Sequence, residues 1–260
     1  MGYTWYDRDR GDLPVDDGRF KLDGQSLGRY PVWLTIDGIE VGDAKPATSM
    51  TDIPGRTPAD LTLEDDTGAA IPGRRTITIH LVTAGTRAEC DETMRLIGDL
   101  NGRTTTIEDR EWGGHYTGRC TVGQPTLKPH HGAILIDVQL DAEPYLIEPE
   151  QRKPLAQGTN QISVHGNRPT QPKLTLTTTE NAAKVSATDG TRTLTITPAT
   201  PFRAGQAITI DTQAHTCTID GTTTPPDLTS LYPILTPKST IITVTGATGT
   251  ITWQPCTLTA

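Results

Sequence analysis

Two contiguous carboxylate pairs, Asp16-Asp17 and Asp65-Asp66, and one histidine pair, His130-His131, are the residues of this 260-residue chain whose types and spacing could do chemistry. Paired carboxylates can divide acid and base work only when they face each other from separate elements. Here each pair is contiguous and lies close to a glycine, Gly18 or Gly68, which is turn composition. His130-His131 follows Pro129 on a stretch that reads as extended, where consecutive side chains point to opposite sides and do not share a metal. Cys90, Cys120, Cys217 and Cys256 are far apart, with no C-x-x-C and no histidine at ligand spacing. They read as reduced thiols packed as small hydrophobes, or as one bridge in each half, Cys90–Cys120 and Cys217–Cys256. No nucleophile elbow, His-x-x-x-His or phosphate loop is present. The residues therefore predict no catalysis, no metal and no cofactor.

The aromatic residues pose a binding question instead. Trp112, Tyr116, Tyr232 and Trp253 are of a type that stacks on sugar rings. Trp253 sits in an alternating run and reads as core. Trp112-Gly113-Gly114 follows Glu108-Asp109-Arg110-Glu111 in a turn, which predicts exposure and a partner contact. A basic groove with interleaved aromatics is absent, so specific nucleic-acid binding is not expected.

The elements that carry these residues divide into two chemically different halves. The first 153 residues hold 17 Lys and Arg against 26 Asp and Glu, and the rest hold 6 against 5, so about −9 lies in the first half and +1 in the second, together the net −8. Length and this shift predict an arm over 1–17, a β domain with one helix over 18–153, and a β-sandwich over 154–260. The charged, aperiodic residues 1–17 read as flexible. The start is too charged for a secretory leader and no stretch approaches ~18 apolar residues, which predicts a cytoplasmic site of synthesis and no membrane partner.

Within the first half, Trp33–Ile36 and Ile39–Val41 flank Asp37-Gly38, the signature of a hairpin. Arg75 to Val82 alternates, with Ile77, Ile79 and Leu81 on one face. Thr86 and Glu89 have the spacing of a capping box, followed by Cys90, Met94, Ile97 and Leu100 at helical steps and Gly102 as the stop. Strands are predicted at Thr104–Ile107, His115–Val122 and Ala133–Leu140, the last with Ile134, Ile136, Val138 and Leu140 in phase. Gln151–Gly166 reads as a connector. Beyond it, Leu174/Leu176, Val185, Leu194/Ile196, Ile208/Ile210, Cys217/Ile219, Ile242/Val244 and Ile251/Trp253 alternate with threonines, punctuated by Asp189-Gly190, Asp220-Gly221 and Ala247-Thr248-Gly249. This predicts an antiparallel sandwich whose outward positions are threonine.

The order of these parts resembles the distal tail proteins of long, non-contractile-tailed bacteriophages. The resemblance runs from the Trp33–Val41 pair through Ile53-Pro54-Gly55-Arg56, the Ile77–Val82 strand, Leu100-Asn101-Gly102, Tyr116–Cys120 and Ala142-Glu143-Pro144-Tyr145. In the second half it rests on Arg203–Asp211, Cys217–Gly221, Asp227-Leu228 and Tyr232–Ile241. Two passages depart from the family: Thr57-Pro58-Ala59-Asp60 replaces a glycine-rich turn, and Pro237-Lys238 stands where a glycine is common.

The resemblance implies a mainly β fold: an N-terminal ring-forming domain with one helix on a sheet, and a C-terminal galectin-like sandwich. It implies a non-enzymatic tail-tip or baseplate hub, present in the virion and assembled in the host cytoplasm. That hub would be a ring of six subunits joining the tail-tube protein to the central tail-tip protein, with the tape-measure protein a possible neighbour. DNA would pass through without specific binding. The acidic excess suits such a passage, because a wall that attracted phosphates would slow DNA. Asp60, Glu64, Asp65, Asp66, Asp109 and Glu111 are the candidates to face it. For ring and partner contacts the candidates are Trp33, Ile36, Ile39, Val41, Met94, Ile97, Trp112, Ile134, Ile136 and Val138. The competing expectation is host attachment by carbohydrate binding through the galectin-like half.

Overall fold

A computed structural model describes residues 20–26, 32–51, 59–62, 70–128 and 133–259. The arm at 1–17, with Asp16-Asp17, lies outside them, as do Ile53–Arg56, Glu64, Asp65-Asp66 and His130-His131. The chain forms two compact units, residues 1–146 with 259–260, and residues 147–258.

The first unit contains β1 (Phe20–Leu22), β2 (Gln25–Ser26), β3 (Val32–Val41), β4 (Thr48–Thr51), β5 (Ala59–Thr62) and β6 (Arg75–Ala84). The helix α1 (Arg87–Gly98) follows, then β7 (Thr104–Asp109), β8 (Gly114–Val122), β9 (Thr126–Lys128) and β10 (Ala133–Ala142). Its main sheet runs β2-β1-β7-β8-β10-β6-β3, with β9 beside β10 and a separate β4–β5 pair. The centre is β6 against β10, antiparallel along their whole length, so that Ile77, Ile79 and Leu81 meet Leu140, Val138 and Ile136. All six side chains are buried, which is what the period-2 pattern of both strands requires.

The helix starts where its cap chemistry says. Thr86 Oγ1 accepts from the Glu89 N–H (3.4 Å), and the Glu89 carboxylate accepts from the Thr86 N–H (2.9 Å). Cys90, Thr93 and Ile97 form its buried side. The helix ends at Gly98 with Asp99 as its cap. Gly102, expected as the stop, instead lies in the following turn at φ +78° and donates its N–H to the Cys120 carbonyl (2.8 Å).

The expected hairpin at Asp37-Gly38 does not form. β3 is one strand whose two halves both pair with β6: Leu34 opposes Leu81, Ile39 opposes Ile79, and Thr35–Gly38 bulge out opposite His80 alone. Gly38 takes φ +62°, so the local turn chemistry is used, but for a bulge. The long neighbour β6 accepts both halves and leaves neither to fold back on the other.

The second unit contains β12 (Gln151–Leu155), β13 (Gly158–Val164), β14 (Lys173–Thr178), β15 (Val185–Thr188), β16 (Thr193–Ile196), β17 (Ala207–Asp211), β18 (Thr216–Ile219), β19 (Thr222–Thr223), β20 (Lys238–Thr245) and β21 (Ala247–Trp253). β11 (Leu146–Ile147) spans the division and β22 (Cys256–Thr257) is the final strand. One sheet runs β12-β21-β14-β17-β18-β19 and another runs β13-β20-β15-β16. A single core joins them, with Leu174, Ile208 and Ile251 from the first sheet and Ile162, Val185 and Ile242 from the second. This is the mainly β sandwich that the alternation predicts. Gln151–Gly166, expected as a connector, supplies β12 and β13, so the unit begins before the expected 153/154 boundary. Ala247-Thr248-Gly249, expected as a turn, lies inside β21, and the turn is at Gly246 (φ +80°). Gly249 is needed for packing: a Cβ there would lie 2.0 Å from the Thr175 carbonyl oxygen.

Candidate interface surfaces

Alternation on β3, β6 and β10 gives the first unit's sheet an outer face. Trp33 pairs with Val82, and Val82 with Leu135, so three half-buried apolar side chains form one row across three strands. The next row is polar. His80 Nδ1 lies 2.8 Å from the Asp137 carboxylate, and His80 Nε2 lies 3.8 Å from Glu40. Farther along, Arg74 pairs with Asp141 (2.8 Å), and at β1 and β7 Lys21 pairs with Glu108 (3.2 Å). The Arg74–Asp141 and Lys21–Glu108 pairs are solvent-exposed and contribute little stability each, about 0–1 kcal/mol. The face is thus an apolar corner beside rows of paired polar groups, at the β3 margin.

The expected contact residues separate into three groups. Ile36 stands on the β3 bulge at 66% exposure, the accessible one of the set. Trp33 and Ile134 are half-buried, and Ile39, Val41, Met94 and Trp112 are half-buried with one side against the core. Trp112 packs edge-on to the Tyr116 ring, with centroids 5.4 Å apart, so its turn is held down. Ile97, Ile136 and Val138 are at 2% exposure or less. They are packing residues and cannot present side chains to a partner, because their faces of α1 and β10 close on the unit's own core. Among the lumen candidates, Asp109 is also buried and ties its own turn by accepting from the Glu111 N–H (2.8 Å).

Alternation did not reveal other exposed apolar residues. Leu127 (58%) lies on the short β9, and Ile241 (54%) is the outward residue of β20. Leu228 (106%) and Leu231 (57%) lie in a loop of the second unit. That loop is fastened to β16: Asp227 accepts from the Thr197 N–H (3.1 Å) and hydroxyl (2.9 Å), and Ser230 Oγ bonds the Thr195 N–H and carbonyl. Leu228 is therefore displayed on a braced loop. The one available signal was an isolated leucine amid Pro225, Pro226, Asp227 and Ser230.

The aromatic and thiol candidates resolve into packing. Trp253 is 5% exposed in the core of the second unit, leaving its ring unavailable to a sugar. Tyr232 stacks on His215 (4.8 Å), and burial pushes its hydroxyl up to about 12. All four cysteines are free. Burial pushes the Cys120 thiol up to about 11 and raises those of Cys217 and Cys256. Among the described residues no group of three or more His, Cys, Asp or Glu is placed to hold a metal ion. No helix among them is long and apolar enough to cross a membrane.

Fold and surfaces together define a mainly β protein of two units whose candidate sites are faces, edges and a braced loop. Residues 165–256 match the family described as siphovirus-type tail component, C-terminal domain. Among solved structures, the Dit (gp 19.1) protein of phage SPP1, described as a paradigm of the hub adsorption apparatus in phages infecting Gram-positive hosts, matches with a TM-score of 0.67. Identity is 15%, with 92% of this chain and 98% of that one covered. Two structures of the phage p2 baseplate in its activated conformation, with strontium and with calcium, give TM-scores of 0.39 and 0.37 at 10% and 9% identity. Each covers 93% of this chain and 92% of the other. No curated protein matches. The chain thus shares the fold of that phage Dit protein, and residues 165–256 resemble the C-terminal domain of siphovirus-type tail components.

Proposed function

We propose that the protein is a non-catalytic hub of a siphophage tail tip, built into the virion after synthesis in the host cytoplasm. The carrying observation is the tail-component domain at 165–256 within a chain whose fold matches a distal tail protein over nearly its whole length. In this reading copies close into a ring, six by analogy, through heterologous contacts around a rotation. The ring joins the tail-tube protein to the central tail-tip protein, and DNA crosses it without specific contacts. The apolar corner at Trp33 and the Ile36 bulge supply one side of the subunit contact, with Met94, Trp112 and Ile134 at its margins. The acidic excess of residues 1–153 supports a passage that repels phosphate.

Native mass spectrometry of the full chain over a range of concentrations tests the assembly, together with antibody-labelled electron microscopy of virions. A closed oligomer and label at the tail tip are the expected results. A monomer at every concentration together with label confined to the head would overturn the proposal.

A further inference from the structure

Arg75 is a cation where a core residue belongs. It opens β6 in phase with Ile77, Ile79 and Leu81, faces Ala142 across the sheet, and is 2% exposed. A buried guanidinium is costly unless its donors are satisfied. Among the described residues its partners are two, and neither is a carboxylate. One Nη donates to Thr259 Oγ1 (2.8 Å) and lies 3.3 Å from the Tyr116 hydroxyl, and the other donates to the Thr259 carbonyl (2.8 Å). The Tyr116 hydroxyl and Thr259 Oγ1 are themselves 2.9 Å apart, and the guanidinium carbon lies 5.5 Å from the centre of the Tyr116 ring. Nε has no partner, so the guanidinium depends on Thr259 for its two short bonds.

Thr259 belongs to the first unit, while residues 147–258 make up the second. The chain therefore leaves the first unit after Leu146 and re-enters it at Thr259. We propose that Arg75 and Tyr116 form a buried clasp for Thr259, which closes residues 147–258 into a loop anchored in the first unit at both ends. The energetics favour closure strongly, because loss of Thr259 leaves a buried cation without its best acceptors. This inference is independent of the hub reading, since it needs no partner molecule.

Two measurements on the full chain and on a variant ending at Leu258 test it. In the full chain, Arg75→Met should speed amide exchange at 256–259 about tenfold or more, while amides of α1 and β10 keep their protection. Removing Thr259 and Ala260 should lower the first unit's melting temperature by several degrees. The decisive outcome is a reversal of sign: Arg75→Met lowers the melting temperature of the full chain but raises that of the shortened one, where Arg75 is an orphaned charge. Exchange at 256–259 within about twofold of wild type in a folded Arg75→Met protein would overturn the clasp. So would an equal loss of stability from Arg75→Met in both backgrounds. If the full-length variant does not fold, the comparison within the shortened chain decides: no gain from Arg75→Met there refutes the proposal.

Discussion

Lys238 is the position where a change should improve the molecule. It opens β20 at φ +77°, in the left-handed region, and its side chain is exposed. A non-glycine residue there costs about 1–2 kcal/mol through the clash of Cβ with the backbone. Glycine removes that cost but gains freedom in the unfolded chain, which returns about 0.5–1 kcal/mol. Lys238→Gly should therefore stabilise the second unit by about 0.5–1 kcal/mol. With a urea slope of about 1–3 kcal/mol/M, the midpoint should rise by roughly 0.2–1 M. Asp220 is the control, because it is also left-handed (φ +48°) but its carboxylate accepts from the Ala207 N–H (2.9 Å) and Gln206 Nε2 (3.0 Å). Asp220→Gly loses both bonds and should gain nothing or lose stability. A lower midpoint for Lys238→Gly, or an equal rise for both variants, would refute the reasoning that strain at Lys238 is uncompensated.

Three further outcomes are expected. Gly249→Ala should destabilise the sandwich by at least about 1–3 kcal/mol in the same titration, since the added Cβ meets the fixed backbone of Thr175 and Leu176. Ile36→Asp should leave unfolding unchanged yet abolish the oligomer in native mass spectrometry, whereas Ile97→Ala should cost about 2–5 kcal/mol of stability. The Asp220 carboxyl is held below its usual range, first by the Ala207 N–H and then by Gln206. Its contribution is present above the ordinary carboxylate range and is lost as pH falls through the lowered value. The melting temperatures of wild type and Asp220→Asn should therefore converge on acidification, and a constant gap would count against this.

What could be read from the residues was whatever local chemistry determines. The capping box of Thr86 and Glu89 and the alternations of β6, β10, β14 and β17 needed no knowledge of neighbours. Asp37-Gly38 was misread because a hairpin and a bulge ask for the same positive-φ glycine, and the choice lies with β6, far along the chain. Gly249 looked like a turn residue because the close approach of Thr175 is set by sheet pairing. Three of the contact candidates are buried for a related reason: apolar periodicity marks a core face and a contact face alike, and Ile97, Ile136 and Val138 lie on the former. Arg75 carried a usable signal, a charge in phase with three core isoleucine and leucine positions, but Thr259 has no pattern that points to it.

The bulge at Thr35–Gly38 also governs what the sheet margin refuses. An outermost strand with a regular row of free amides and carbonyls invites a stranger's strand to lie alongside. Four residues set against a single neighbour at mid-length interrupt that row, and on the sandwich the marginal β12 carries Pro154, which has no amide to offer. Crowded copies are thereby discouraged from zipping into fibres, and stable association must proceed through side chains, whose fit can be exact about number and angle.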